Sequence, residues 1–283
     1  MRFRSLVVCI FALTTAISVM AQIPKPLELP LWEKPQVSFV PNATPGADDG
    51  TGRFWKVGVP GMLVYRPEKP NGLVIVVCPG GGYTHLTRLE GADGAVNAFV
   101  PNGVTIVSLR YRTAPPSINV DDDALADGRR ALRLIRHRAK EWGINPRKVG
   151  LLGWSAGANL ALNVATHFDA GDAAAVDPVE RESSRPDFVV LLSPWPAKKT
   201  IDAYPVSADA PPAFVGSAKD DKTAPVTFAE SIAASYRAAH APVSLWIVET
   251  GGHGAFTIDT AGEGGKWIDR FWPWLDASGL NTR

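Results

Sequence analysis

One serine in this sequence lies in a short motif that is typical of catalytic nucleophiles. Ser155 lies in the Gly-Trp-Ser-Ala-Gly motif of residues 153–157, which follows a predicted strand at Lys148–Gly153 and opens a predicted helix at Ala156–Thr166. A serine on a sharp turn from a buried strand into a helix exposes its hydroxyl, and the helix N-terminus stabilises negative charge beside it. The motif therefore predicts Ser155 as the nucleophile of an acyl-transfer reaction, with an ordinary tight turn as the alternative.

A serine nucleophile needs a general base, and the chain contains five histidines. His253 lies in a Gly-Gly-His-Gly loop just after a predicted strand at Val243–Val248, where it can hang over the carboxyl edge of a sheet. His85 lies near a glycine-rich loop and could line the site. The other three histidines lie in or end predicted helices: His137, His167 and His240. We predict His253 as the base, and a surface histidine in a loop is the alternative.

The third member of such a site is a carboxylate that orients the imidazole. A predicted strand at Phe214–Gly216 leads into Asp220 and Asp221, and it lies in the chain between the strands that precede Ser155 and His253. Asp221 is favoured because a proline, Pro225, follows four residues later, as in the Asp-x-x-x-Pro pattern of serine hydrolases. Asp220 remains the alternative; otherwise it would cap the next helix or face solvent.

A glycine-rich loop follows another buried strand. The run Leu73–Val77 leads into Cys-Pro-Gly-Gly-Gly-Tyr at residues 78–83. The backbone N–H groups of Gly81 and Gly82, with that of Ala156, are predicted to stabilise a tetrahedral oxyanion. A phosphate-binding loop is the rival interpretation, but no Lys-Ser/Thr follows and no GxGxxG spacing is present.

Apolar runs and helical patterns alternate along the chain. Buried strands are predicted at Leu73–Cys78, Val104–Leu109, Lys148–Gly153, Phe188–Leu192, Phe214–Gly216 and Val243–Val248. Helices are predicted at Gly91–Val100, Asp121–Trp142, Ala156–Thr166, Phe228–His240 and Trp267–Leu275. The alternation predicts an α/β fold with a mostly parallel central sheet and helices on both faces. The short connection Ser193–Pro212 leaves little chain for a lid domain.

Basic residues crowd the end of the long predicted helix at Asp121–Trp142. They are Arg136, His137, Arg138 and Lys140. Positive charge is favoured at a helix C-terminus, so this cluster is interpreted as a solvated helix face rather than a binding patch.

The N-terminus has the pattern of an export signal. Arg2 and Arg4 precede an apolar stretch from Leu6 to Met20, which predicts a signal peptide over residues 1–21 and a secreted or periplasmic protein. A buried N-terminal helix is the alternative. Residues 22–55 are rich in Pro and Gly and predict an extended arm with an edge strand at Val37–Val40. Residues 56–283 are predicted to form one catalytic domain.

Charge and cysteine content exclude several classes of partner. The chain has 29 Lys and Arg against 28 Asp and Glu, and removing residues 1–21 takes away two arginines and no acid, so the mature formal charge is −1. This balance provides no electrostatic basis for binding nucleic acid, and no interior apolar run is long enough for a membrane anchor. Only Cys78 remains after residue 21, so no internal disulfide is expected. No spacing of metal ligands is found, so no metal or other cofactor is expected. The oligomeric state stays open.

These motifs together resemble a known family. Their order along the chain matches bacterial acetyl esterases of the α/β-hydrolase superfamily: Cys78–Tyr83, Leu109–Arg112, Asp127–Arg136, Glu141–Pro146, Gly153–Gly157 and Gly251–Phe256. The order Ser, Asp, His is also that of the superfamily. Within it the chain is similar to exported carbohydrate esterases that deacetylate xylan or release feruloyl groups, over roughly residues 55–275. It departs from lipase-like esterases at Pro79, where those carry a histidine.

The resemblance implies a serine ester hydrolase that acts on plant-type carbohydrate through a Ser-His-Asp triad and an acyl-enzyme. Tyr83, Trp154 and Trp195 could then provide stacking surfaces for sugar rings, although large aromatic residues usually pack in the core. Two other functions stay open: a serine peptidase of the same fold, and a non-catalytic carbohydrate-binding protein on a hydrolase scaffold. No pair of carboxylates marks itself as a glycosidase dyad.

Overall fold

The computed structural model describes residues 25–33, 44–87, 94–258 and 260–280. The signal peptide predicted for residues 1–21 and the edge strand predicted at Val37–Val40 lie outside these ranges. The strands of the described residues are β1 (Leu27–Pro30), β2 (Ala47–Asp48), β3 (Arg53–Trp55), β4 (Gly61–Tyr65), β5 (Val74–Cys78), β6 (His85–Thr87), β7 (Thr105–Arg110), β8 (Val149–Trp154), β9 (Val189–Leu192), β10 (Ala213–Ala218) and β11 (Val243–Val248). Their α-helices are α1 (Ala95–Phe99), α2 (Val120–His137), α3 (Ala139–Trp142), α4 (Ala156–Thr166), α5 (Val226–Ala238) and α6 (Trp267–Ala277). No helix within these ranges is both long and apolar enough to cross a bilayer.

Eight of these strands form one twisted sheet in the order β1-β4-β7-β5-β8-β9-β10-β11. The strands from β7 to β11 pair in parallel, whereas β4 pairs antiparallel with β7 and with β1. Every residue of β5, β7 and β9 is buried, because a parallel sheet is covered on both faces and its strands need apolar side chains in both directions. The predicted α/β fold with a mostly parallel sheet is confirmed.

Helices cover both faces of the sheet, and two glycines of β8 mark the two sides. A Cβ atom on Gly153 would lie 2.2 Å from the backbone of α4, which therefore packs directly on this strand. Gly150, an odd number of residues away and so on the opposite face, abuts the ring of Phe188. That ring packs against Phe271 and Trp274 of α6. Large apolar side chains thus fill the space that glycine leaves on the α6 side.

The N-terminal arm is more ordered in places than its Pro and Gly content predicts. β1 extends the main sheet by pairing with β4, and Glu28 in it forms an ion pair with Arg110 at 2.6 Å. β2 and β3 form a small antiparallel sheet with β6, in which Trp55 lies opposite His85. The arm therefore reaches the segment that follows the glycine-rich loop.

The long predicted helix is divided into α2 and α3 at Arg138, whose ψ is 9°. Within the basic cluster, His137 and Lys140 are exposed, but Arg136 is buried. Its guanidinium donates to the carbonyls of Pro146, Ser183 and Arg185 and to Asp187. The interpretation of Arg136 as part of a solvated face is wrong, because its buried guanidinium donates hydrogen bonds to three backbone carbonyl groups of the segments packed against α2.

A buried ion pair fixes the chain just after β7. The Arg112 guanidinium lies 2.8 Å from both Asp127 and Asp123, and the Asp127 carboxylate also accepts the Arg112 backbone N–H at 2.8 Å. Asp127 is fully buried. The adjacent backbone then donates from Ala114 to the carbonyl of Tyr83 at 2.8 Å. The ion pair between Arg112 and α2 thereby fixes the segment that is hydrogen-bonded to the end of the glycine-rich loop.

We expect Asp127→Ala to lower the free energy of unfolding by about 3–5 kcal/mol, because it leaves the buried Arg112 charge without its main partner. Urea unfolding followed by circular dichroism measures the change. Asp122→Ala removes an exposed carboxylate from the first turn of the same helix and serves as the control, with an expected loss below about 1 kcal/mol. Equal losses in the two variants would contradict the assigned role of the buried pair.

Candidate active site

Ser155 occupies a strained turn between β8 and α4. Its backbone has φ 57° and ψ −121°, a region that residues with a side chain rarely adopt. The turn is fixed on both sides by backbone hydrogen bonds, from Ser155 to the Leu192 carbonyl at 3.0 Å and from Trp195 to the Ser155 carbonyl at 3.3 Å. The hydroxyl is thereby held at the carboxyl edge of the sheet, directly before the N-terminus of α4.

Both glycines of the motif are required by close backbone contacts. A Cβ on Gly153 would meet the carbonyl oxygen of Gly157 at 2.2 Å, and one on Gly157 would meet that of Cys78 at 1.8 Å. Real Cβ atoms do not approach so closely, so no other residue fits either position without a shift of the backbone. The contact between Gly157 and Cys78 brings the start of α4 against the start of the glycine-rich loop.

The three predicted members of the triad meet at this turn. The Nε2 atom of His253 lies 2.9 Å from Oγ of Ser155, and its Nδ1 lies 2.8 Å from Oδ2 of Asp221. The Asp221 side chain is fully buried, whereas about a quarter of the His253 side chain is exposed. With Nδ1 as the donor to Asp221, Nε2 is the acceptor for the serine hydroxyl. This is the tautomer in which the imidazole can take a proton from Ser155.

Asp220 and Asp221 contact different parts of the histidine loop. The Oδ1 of Asp221 accepts the backbone N–H groups of Thr223 and Ala224, both at 2.8 Å, which leaves Oδ2 for the imidazole. Asp220 is exposed and accepts the N–H groups of Gly251 and Gly252 at 3.2 and 2.8 Å. These hydrogen bonds, with that from Gly252 strongest, lower the pKa of Asp220. The structure places Asp221 against the ring and Asp220 against the backbone that carries it, a second role that the sequence did not indicate.

The glycine-rich loop passes beside the serine. A Cβ on Gly80 would lie 3.4 Å from the Cβ of Ser155. Gly81 and Gly82 have φ values of 126° and 60°, which let the loop turn sharply without a side chain in the way. Ala156 is the first residue of α4. Of the three residues predicted to stabilise an oxyanion, Gly81 and Gly82 thus lie on the loop and Ala156 lies on the helix.

The stacking role predicted for Tyr83 needs correction. This residue has φ 61°, which turns its side chain inwards, and only 4% of it is exposed. Its hydroxyl donates to Oδ1 of Asn159 in α4 at 2.9 Å, and its ring contacts Tyr111 and Trp195. Burial raises the pKa of Tyr83 well above its usual value, so the phenol stays neutral. A ring enclosed in this way packs the interior and offers no face to a sugar.

Asn159 is the residue of this region that sequence reasoning missed. Besides accepting from Tyr83, its amide donates to the Trp195 carbonyl at 2.8 Å and to the Tyr204 hydroxyl at 2.6 Å. It therefore joins the glycine-rich loop to the connection Ser193–Pro212. The only signal in the sequence was its position near the start of the helix that follows the serine motif. Its role could not be predicted because its hydrogen-bond partners come from distant parts of the chain.

Trp154 lies beside the imidazole rather than on the surface. Its ring is stacked on that of His253, with centroids 5.4 Å apart and an angle of 24° between planes. Its side chain also borders a small, mostly apolar crevice, which Leu152, Leu192 and Trp267 help to line. Trp195 is half-buried and packs against Tyr83. All three aromatic residues named from the sequence therefore make internal contacts.

Several known proteins have sequences similar to this chain. The sequence profile of a family described as alpha/beta hydrolase fold matches residues 75–209, a range that includes the glycine-rich loop and Ser155. An acetylxylan esterase of Xylanibacter ruminicola is 30% identical over 221 residues, which are 68% of this chain and 43% of that protein. An endo-1,4-beta-xylanase B of Butyrivibrio fibrisolvens is 28% identical over 205 residues, 64% of this chain and 32% of that protein. The chain spans less than half the length of these two curated relatives.

A solved structure covers the chain more completely. An acetyl ester-xyloside bifunctional hydrolase from Caldicellulosiruptor lactoaceticus superposes with a TM-score of 0.75 at 30% sequence identity. The match takes in 92% of this chain and 99% of that one. The likeness therefore extends over almost the whole of both chains.

We expect Asp220→Asn to speed amide hydrogen exchange at Gly251 and Gly252 by about tenfold. The amide keeps one acceptor oxygen where the carboxylate has two, and hydrogen bonds to a charged group are the stronger ones. Exchange followed by NMR measures the effect. Glu249→Gln is the matched control, since Glu249 is an exposed carboxylate in the same loop that contacts Lys219. Unchanged exchange in Asp220→Asn would contradict the anchoring role.

Proposed function

Because this chain belongs to the alpha/beta hydrolase fold family, we propose that it is a serine carboxylic-ester hydrolase that removes acetyl or feruloyl groups from xylan-type carbohydrate. The observation that carries the proposal is the contact series from Ser155 through His253 to the buried Asp221. A hydroxyl, a correctly protonated imidazole and a buried carboxylate in this order are the groups that acyl transfer requires.

The first half-reaction forms an acyl-enzyme. Ser155 Oγ attacks the carbonyl carbon of the ester while Nε2 of His253 takes the hydroxyl proton, and the carbonyl electrons move onto oxygen. Backbone N–H groups of Gly81, Gly82 and Ala156 stabilise this oxyanion. His253 then gives its proton to the leaving alkoxide as the C–O bond breaks.

The second half-reaction uses the same groups on water. His253 takes a proton from a water molecule, the oxygen attacks the acyl carbon, and the intermediate collapses to the free acid with return of the proton to Ser155. Asp221 stabilises the imidazolium in both halves. It does so with a carboxylate that two backbone N–H groups already hold, so no reorganisation is needed when charge develops.

Two observations support a short acyl group on a carbohydrate. The connection Ser193–Pro212 is short and leaves little chain for an apolar lid that would bury a long acyl chain. The relatives and the solved structure named above include an acetylxylan esterase and an acetyl ester-xyloside hydrolase. The signal-like pattern of residues 1–21 supports export, which would bring the enzyme to plant polysaccharides outside the cytoplasm.

Ser155→Ala tests the reaction directly. Removing the nucleophilic oxygen should lower kcat for acetate release from acetylated xylotriose by about 10⁴-fold or more. Circular dichroism should show an unchanged fold, because the buried methyl group fits where the hydroxyl was. Activity within a few-fold of the unsubstituted enzyme would rule Ser155 out as nucleophile.

The acyl preference is a separate expectation. In a series of p-nitrophenyl esters, kcat/KM should be highest for acetate and fall as the acyl chain lengthens, because the short connection Ser193–Pro212 provides little apolar surface to cover a longer chain. Methyl ferulate in the same panel distinguishes an acetyl from a feruloyl preference, and a peptide substrate serves as the control for peptidase activity. A steady rise of kcat/KM up to eight carbons would exclude the carbohydrate assignment in favour of a lipase-like one.

A further inference from the structure

The small sheet formed by β2, β3 and β6 has an inner and an outer face. Phe54 lies opposite Leu86, which is fully buried and packs into the core. Because strand side chains alternate, the neighbouring pair of Trp55 and His85 lies on the outer face. Their rings are stacked, with centroids 4.4 Å apart and planes 26° from parallel. The arm contributes Trp55, and β6 contributes His85, to an aromatic pair at the surface.

Trp55 is one of the few large apolar side chains that the described residues expose, with 36% of its surface accessible. Its indole is nevertheless fixed in place, since Nε1 donates to Oδ2 of Asp49 at 2.8 Å while the ring stacks on His85. Asp49 is held in turn by the backbone and hydroxyl of Thr51. The side-chain hydrogen bonds from Thr51 and Trp55 lower the pKa of Asp49, so the acceptor is ionised. An exposed indole whose ring is stacked on one face and whose nitrogen is hydrogen-bonded is already oriented, so a ligand that contacts it need not pay to order the side chain.

The pair lies next to the proposed oxyanion loop. A Cβ on Gly81 would lie 3.2 Å from Cδ2 of His85, and a Cβ on Gly80 would lie 3.4 Å from that of Ser155. Two consecutive loop residues therefore separate the His85 ring from the nucleophile. A substrate whose ester reaches Ser155 can extend over this loop towards Trp55.

The electrostatics favour a neutral occupant. Burial, and then the positive charge of Arg53, lower the pKa of His85, so its imidazole is uncharged at neutral pH. The π face of an indole is electron-rich and the C–H faces of a pyranose ring are slightly positive and apolar, which makes the two complementary. Tyr83 cannot take this role, because its ring is buried, whereas Trp154 and Trp195 are half-buried and each already packs against another ring.

We propose that the stacked pair of Trp55 and His85 is a sugar-binding subsite, which holds a pyranose unit of the polysaccharide next to the unit that carries the acyl group. This inference rests on the proposed esterase function and deepens it: the substrate is an acylated oligomer or polymer rather than an acylated monosaccharide. The subsite contributes binding energy remote from the reacting carbonyl, which can raise kcat/KM for long substrates only.

Binding and kinetics test the subsite separately. Binding of unacetylated xylotriose to Ser155→Ala, measured by calorimetry, tests it without any chemistry. Adding Trp55→Ala should weaken this binding about tenfold, whereas Trp55→Tyr keeps a ring and should retain most of it. Leu27→Ala is the matched control, because Leu27 is similarly exposed, at 42%, but lies in β1 at the edge of the main sheet. It should bind xylotriose as tightly as the parent.

In the active enzyme, Trp55→Ala should lower the ratio of kcat/KM for acetylated xylotriose to kcat/KM for p-nitrophenyl acetate by about tenfold. An unchanged ratio, or xylotriose binding that does not depend on Trp55, would overturn the subsite while leaving the esterase function in place. Loss of both activities in equal measure would show that Trp55 only supports the oxyanion loop, and would also overturn it. Full activity in Ser155→Ala would instead refute the proposed function.

Discussion

The site is built on the approach of one backbone to another, between Gly157 at the start of α4 and the carbonyl of Cys78 at the end of β5. A single added carbon would be only 1.8 Å from that oxygen. Because the contact exists, the N-terminus of α4 lies beside the glycine-rich loop, and Ser155 is forced into its left-handed turn between them. The proposed nucleophile, the N-terminus of α4 and the proposed oxyanion donors therefore meet at this close backbone contact, and the hydrogen bonds of Ser155 with Leu192 and Trp195 reinforce it.

The parts of this arrangement that could be predicted from sequence are those encoded locally. Ser155 and its flanking glycines lie within five residues of one another, between an apolar run and a helical pattern, and the strand alternation that implies a parallel sheet is equally short in range. His253 was found because a glycine-flanked histidine followed a strand. The choice of Asp221 rested on a proline four residues away, and the structure places that carboxylate, not Asp220, at the ring.

The parts that could not be predicted depend on residues far apart in the chain. Tyr83 was interpreted as a surface ring. Its burial depends on a left-handed backbone conformation and on a hydrogen bond to Asn159, 76 residues later, and neither is visible in the local sequence. Trp55 lies in a three-residue strand, too short for its alternation to be recognised, and its partner comes from β6. Arg136 looked solvated because its carbonyl partners belong to a loop almost 50 residues away. Composition and periodicity carry no information on such pairings.

The Asn159 network has a consequence for the conditions under which the cleft keeps its shape. The glycine-rich loop and the connection Ser193–Pro212 are joined by the amide of Asn159 and by the phenols of Tyr83 and Tyr204. Burial raises the pKa values of both tyrosines above the usual range. None of these groups gains or loses a proton between mildly acidic and alkaline conditions. Acid that protonates the exposed carboxylates of the surface therefore leaves this cross-connection intact. The link between the glycine-rich loop and the connection Ser193–Pro212 therefore does not depend on the protonation of any group that forms it.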